Sequence, residues 1–96
     1  MELVFEWDEN KANANLKNHE ISFDEAKTVF NDPFLITFPD ELHSRDEERF
    51  ISIGASNINR VLLVVHREMA TAENKILIRI ISCRKPTVSE RKFYEE

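Results

Sequence analysis

The chain has one cysteine, one glycine and three prolines among its 96 residues, and each scarcity closes off a class of protein. A lone Cys83 rules out a disulfide framework or a cysteine-rich zinc module and suits a reducing compartment. A lone Gly54 leaves no material for a glycine-rich phosphate loop, which excludes the common nucleotide-dependent enzymes. So little glycine and proline also excludes collagenous or linker-like character. No apolar run approaches the roughly 18 residues of a membrane span. The longest, Val61-Leu62-Leu63-Val64-Val65, has the length of a strand. The opening Met1-Glu2-Leu3-Val4-Phe5-Glu6-Trp7 shows no basic segment leading into an apolar one, so no secretory leader is read there. A cytoplasmic protein without a membrane partner is expected.

What is present is the composition of a folded domain, 42% hydrophobic and 32% charged, at a length that suits one domain over residues 1–96. The net charge of −5 argues against a general nucleic-acid binder. That average conceals an asymmetry. Residues 1–59 carry five Lys/Arg against thirteen Asp/Glu, a balance of −8, whereas residues 60–96 carry eight against five, a balance of +3. The second part can meet a polyanion and the first suits a basic partner, or both are simply solvated surface.

Local signals order the elements. Leu3 to Trp7 reads as a short strand, and Asp8 as the cap of a helix from Glu9 to about His19 with Ala12, Leu16 and His19 on one stripe. Ser22-Phe23-Asp24-Glu25 is a capping box that opens a second helix, whose Phe23, Ala26 and Phe30 share a face and which Asp32-Pro33 ends. Phe34 to Phe38 reads as a strand, and Asp40 to Glu48 as an exposed, solvated loop. Period-two alternation from Arg49 sets Phe50, Ser52, Gly54 and Ser56 on one face and Ile51, Ile53 and Ala55 on the other. Strands Arg60 to about Arg67 and Lys75 to Cys83 complete an antiparallel meander. Thr87 and Glu90 form a further capping box for a helix through about Tyr94. The expected fold is α+β in the order β-α-α-β-β-β-β-α, with helices against one face of an antiparallel sheet.

Candidate chemistry sits where polar residues interrupt apolar strands. On the last strand Ile76, Ile78 and Ile80 face the core, and Leu77, Arg79, Ile81 and Cys83 face away. Arg79 lies mid-strand, where a charge is costly unless paired or near solvent. His66, Arg67 and Glu68 end the preceding strand, and antiparallel pairing can bring His66, Glu68 and Arg79 together. Metal-free RNA cleavage needs a base for the 2′-hydroxyl, cations for the crowded phosphate and an acid for the leaving oxygen. His66 or Glu68 suits the base, Arg79 and Arg84 the phosphate, and Tyr94 a stacking or proton-donating role. Arg49, Arg67, Lys85 and Arg91 are candidate substrate contacts. The bland alternative is that Arg79 pairs with a carboxylate and His66 merely ends a strand. His19, His43 and His66 lack metal-ligand spacing, so no metal or other cofactor is expected. Cys83 beside Arg84 and Lys85 is either a lowered-pKa thiol or buried filler.

The ordered blocks resemble a known family. Phe5-Glu6-Trp7-Asp8-Glu9-Asn10-Lys11 with Asn15-Leu16-Lys17 and His19 is similar to the N-terminal signature of the BrnT toxins. So are Ser22-Phe23-Asp24-Glu25-Ala26, Val29-Phe30-Asn31-Asp32-Pro33, Glu48-Arg49-Phe50-Ile51-Ser52-Ile53-Gly54 and Leu63-Val64-Val65-His66. Ile78-Arg79-Ile80-Ile81-Ser82-Cys83-Arg84-Lys85, then Glu90-Arg91 and Tyr94, match the C-terminal block. The resemblance implies a RelE-like fold and a type II toxin that cuts RNA without a metal and stops translation. It also implies a BrnA-like ribbon-helix-helix antitoxin, with operator DNA met only through that partner; the assembly is left open between a homodimer, paired through the exposed edge of the meander, and a heterotetramer with the antitoxin. The motif positions it marks are Arg49, Arg79, Ser82, Arg84, Glu90 and Tyr94, and more loosely His66 and His19. The alternative is a weakly active or inactive binding module that acts as co-repressor with its antitoxin. Two departures stand out. The family's usual His-Gly is His19-Glu20 here, which implies a different turn after the first helix, and Cys83 and Pro86 replace alanines.

Overall fold

A computed structural model describes residues 2–45 and 47–96; the part of the 40–48 loop expectation that concerns Asp46 falls outside them. In chain order the elements are β1 (Glu2–Glu6), α1 (Glu9–His19), α2 (Phe23–Ala26) continued by a 3-10 turn (Lys27–Asn31), β2 (Ile36–Pro39), a short 3-10 turn (Glu41–His43), β3 (Phe50–Ala55), β4 (Val61–Ala70), β5 (Lys75–Arg84) and α3 (Val88–Glu95). The expected α+β order is thus observed. The five strands form one sheet in the order β1-β5-β4-β3-β2. β2 through β5 are antiparallel neighbours, but β1 lies parallel to β5, a pairing that the meander signals did not carry. Pro39 is tolerated in β2 because that strand is at the sheet edge.

The caps behave as their chemistry dictates. Asp8 accepts from the N–H groups of Asn10 and Lys11, and Thr87 with Glu90 completes a reciprocal capping box. At Ser22 only half the box forms, since Glu25 turns its carboxylate to Arg60 and Ser56 instead. Glu20 closes α1 in the left-handed region with φ 58°, its N–H reaching Leu16 O at 2.9 Å. The turn is therefore the one a glycine would make, and the expectation of another form is corrected.

Helices α1 and α2 cover one face of the sheet. Ile21, Phe23, Ala26 and Val29 pack there on Leu62, Val64, Ile78, Ile80 and Cys83. Of the expected α1 stripe Ala12 packs against the core, but Leu16 is 51% exposed and His19 is exposed, and the buried residue of the helix is Asn15. Its amide donates to Ile21 O at 3.0 Å and accepts from Cys83 N–H at 3.0 Å. That N–H lies beyond the end of β1, so Asn15 stands in for the missing strand. Cys83 itself points inward, not outward, because a bulge shifts the β4–β5 register after Val65↔Ser82 to His66↔Ile80 and leaves Ile81 over. Burial pushes its thiol up to about 12, which makes it core filler rather than a reactive group.

At Gly54 a Cβ would sit 2.8 Å from Leu35 Cδ1 and 3.2 Å from the Val29 carbonyl, so a side chain there would make Leu35 and the 3-10 turn give way. No helix among the described residues is long and apolar enough to cross a membrane.

Candidate active site on the open face of the sheet

The strand alternation that sends Leu62, Val64 and His66 under the helices sends Leu63, Val65 and Arg67 to the opposite face. Their cross-strand partners share that face: Ile51 opposes Val65, Ser82 opposes Val65 from the other side, and Arg84 opposes Leu63. Here the loop between β2 and β3 folds back and leaves a cleft of about 400 Å³. Its floor is Ile51, Leu63 and Val65, and its polar rim is Asp40, His43, Arg49, Ser82 and Arg84.

The loop is stitched at its base. Asp40 N–H donates to Arg49 O at 2.8 Å, Ser44 Oγ donates to Asp40 O at 2.7 Å, and Arg49 N–H donates to Ser44 Oγ at 2.9 Å. Within it, the 3-10 turn places residues i and i+3 one above the other, so Asp40 meets His43. The imidazole Nδ1 lies 3.1 and 3.0 Å from the two carboxylate oxygens. A carboxylate only accepts, so Nδ1 carries a proton, and in the neutral ring the lone pair is on Nε2. Asp40 is 8% exposed, while the His43 side chain is 65% exposed. An imidazole held this way can accept a proton at Nε2 when the ring is neutral.

Arg84 is aimed by Glu90, with two parallel contacts at 2.8 and 2.9 Å. The same carboxylate accepts from Thr87 N–H, and Arg84 above all holds it down to about 2. The pair ties α3 to the end of β5 and still leaves Arg84 with unused N–H donors. Arg49 has no carboxylate partner among the described residues.

The remaining sequence candidates divide by face. Arg79 lies on the open face but outside the cleft, bound to Glu6 at 2.9 Å. Arg67 is its direct cross-strand neighbour and is held by Glu47 at 2.9 Å. Lys85 and Arg91 line a different pocket. His66 and Glu68 belong to the helix-covered face, so the expected meeting of His66, Glu68 and Arg79 does not occur. His66 is fully buried, with Phe30 edge-on and Phe50 stacked against it. Its Nε2 contacts Ser52 Oγ at 2.7 Å, and Ser52 Oγ contacts Thr37 Oγ1 at 2.7 Å. Nδ1 has no partner, since Glu68 at 3.8 Å is too far for a hydrogen bond. Burial lowers the imidazole to about 4 and raises the Glu68 carboxyl. Sealed from solvent, His66 is not placed to take a proton from a substrate. Tyr94 spends its hydroxyl on Asp32, which raises the phenol and commits it to anchoring α3. His19 is exposed at the end of α1. Among the described residues no three His, Cys, Asp or Glu side chains gather as a metal site.

Sequence reasoning missed Asp40, His43 and Ser44 because the segment was read as solvated. The signal was there in Asp40-x-x-His43, which is one 3-10 turn of spacing.

Over residues 7–90 the chain matches a family described as the ribonuclease toxin, BrnT, of a type II toxin–antitoxin system. The chain belongs to the BrnT family. As a type II toxin it has an antitoxin for a partner. The crystal structure of the Brucella abortus ribonuclease toxin, BrnT, is similar with a TM-score of 0.61 at 19% identity, over 91% of this chain and 99% of that one. The BrnT fold is thus shared at an identity where few side chains are. No curated protein matches the chain significantly.

Proposed function

We propose that this BrnT-family chain cuts RNA in the cleft on the open face, without a metal, and that His43 is the general base. One observation carries the reading: an oriented imidazole with a free Nε2 lines the same cleft as two arginines. The half-buried Ile51 and Val65 of the floor suit the face of a nucleobase, and Arg49 and Arg84 suit the scissile phosphate. His43 Nε2 takes the 2′-hydroxyl proton, the 2′ oxygen bonds to phosphorus, and the bond from phosphorus to the 5′ oxygen breaks. The 5′ oxygen leaves with a proton from water, and a 2′,3′-cyclic phosphate remains. Ser82 is a neutral donor to a phosphate oxygen. Arg79 and Arg67 flank the cleft and meet more distant phosphates only by exchanging Glu6 and Glu47 for them.

Such cleavage removes messages and so inhibits translation, in the cytoplasm, where an antitoxin of the BrnA-like ribbon-helix-helix kind restrains it and brings the pair to operator DNA. The acidic residues 1–59 favour a basic antitoxin surface.

The test is growth and total RNA after induction of the chain alone, beside His43→Ala. Arrest with RNA loss for the native chain only supports the reading. Arrest by both keeps the toxin and discards the base. Normal growth with soluble native protein favours a co-repressor that only binds its antitoxin.

A further inference from the structure

Consecutive residues at the end of β5 line two separate pockets: Arg84 the cleft, Lys85 a second hollow of about 280 Å³. Asn59, Arg60 and Val61 from the β3–β4 hairpin form one wall of the hollow, and Lys85, Pro86 and Arg91 form the other. Three cations and an amide line it, and no carboxylate does. Two of the three are ion-paired outside the hollow, Arg60 with Glu25 and Arg91 with Glu95, and Lys85, among the described residues, is not, so the lining is positive in a chain of net charge −5.

Each cation keeps donors to spare. Arg60 uses Nε and one terminal nitrogen on Glu25 and the Glu20 carbonyl, which leaves its other terminal nitrogen free. Glu25 thereby fixes the guanidinium and leaves one terminal nitrogen for another acceptor. Arg91 makes a loose 3.5 Å contact with Glu95, both ends half exposed, of the kind worth little in water. Lys85 is exposed and has no ion-pair partner among the described residues. The hollow also lies close to the chemistry. Val61 and Leu63 are two residues apart on β4, about 7 Å along the strand, and one lines each pocket.

We infer that the hollow is a second anion site, which holds a backbone phosphate of the RNA next to the one being cut. The inference rests on the RNA-cleaving reading and extends it: the substrate is a strand of at least two phosphates, gripped on both sides of the Arg84–Lys85 step. Arg60 is the pre-set ligand, and Lys85 and Arg91 close on the phosphate from the opposite wall.

The experiment is binding of a 2′-O-methyl RNA hexamer, which cannot be cleaved, followed by fluorescence anisotropy across a salt series. Lys85→Ala/Arg91→Ala is expected to raise Kd about tenfold and to make the salt dependence shallower by roughly one phosphate contact. Lys11→Ala/Lys17→Ala, which removes the same charge from exposed positions of α1, is expected to leave both values near native. The conservative pair Lys85→Arg/Arg91→Lys is expected to restore tight binding. Native Kd and slope in the alanine pair would overturn the second site while leaving the cleft intact. Equal weakening by both alanine pairs would overturn it as well, leaving only net charge at work. A loss of affinity for the antitoxin with RNA binding unchanged would reassign the hollow to the partner. Failure of the native chain to bind or cut any RNA would overturn the cleavage reading beneath it.

Discussion

The two faces of the sheet use the same residue types to opposite ends. Under the helices, Ser52 and His66 touch in a dry environment, ringed by Phe30 and Phe50, and the imidazole is held neutral. On the open face, His43 rests through Nδ1 on a buried carboxylate and lines a cleft with Ser82, Arg49 and Arg84. A histidine on a strand looks more like a fixed site than one in an acidic loop. Here the alternation of the strand buries the first and a single 3-10 turn builds the second. Chemistry follows access and orientation, and a residue's place on a regular element guarantees neither.

This contrast can be broken at several points. The largest effect is expected at Arg49→Ala, which takes away the rim cation without a carboxylate partner among the described residues. Its kcat/KM on an RNA oligonucleotide should fall by about 100-fold or more, with an unchanged circular dichroism spectrum. On the covered face the expected loss is in stability and depends on pH. A free imidazole binds its proton near pH 6.5, whereas His66 in the fold does so near 4. The unfolded chain takes up that proton first, so stability falls as pH drops from about 6.5 to about 4, by on the order of 3 kcal/mol. Glu90 acts in a lower window, since its carboxyl is held down to about 2 and its contribution is lost only as pH falls from the ordinary carboxylate range towards that value. Urea titrations at pH 7.5 and 4.5 should therefore show a steep difference for the native chain and a much smaller one for His66→Gln. An equal difference in both would place the titrating group elsewhere.

Gly54→Ala comes next. The added methyl meets Leu35 and the Val29 backbone, and a cost of about 1–3 kcal/mol is expected in the same titration. The smallest effect has the opposite sign. Glu20→Gly relieves a left-handed non-glycine residue and should stabilise the fold by about 1 kcal/mol.

Much of the fold was legible because its signals are local. Asp8, Ser22 and Thr87 cap helices by short-range hydrogen bonds, and period-two alternation around Ile51 and Ile53 needs no knowledge of the partner strand. The failures required tertiary information. The parallel seating of β1, the bulge at Ile81 that turns Cys83 inward, and Asn15 as a substitute strand partner all depend on residues distant in sequence. The site divides in the same way. Arg84 stands out from its place at the end of an apolar strand, Ser82 through motif resemblance and Arg49 through both charge and motif, and the three meet in the cleft, but periodicity had no means of choosing between His43 and His66. A polar residue on an apolar strand draws attention to His66, and the apolar surroundings of that strand are what seal it away.

If RNA is cut on the open face, the covered face only holds the fold. That division is tested most directly by the cleavage rate of a defined RNA oligonucleotide at pH 7.5, measured for native protein, His43→Ala and His66→Gln, each first shown to be folded. The account predicts a loss of at least about 100-fold for His43→Ala and a near-native rate for His66→Gln. A near-native rate for His43→Ala, with cleavage lost in folded His66→Gln, would contradict it.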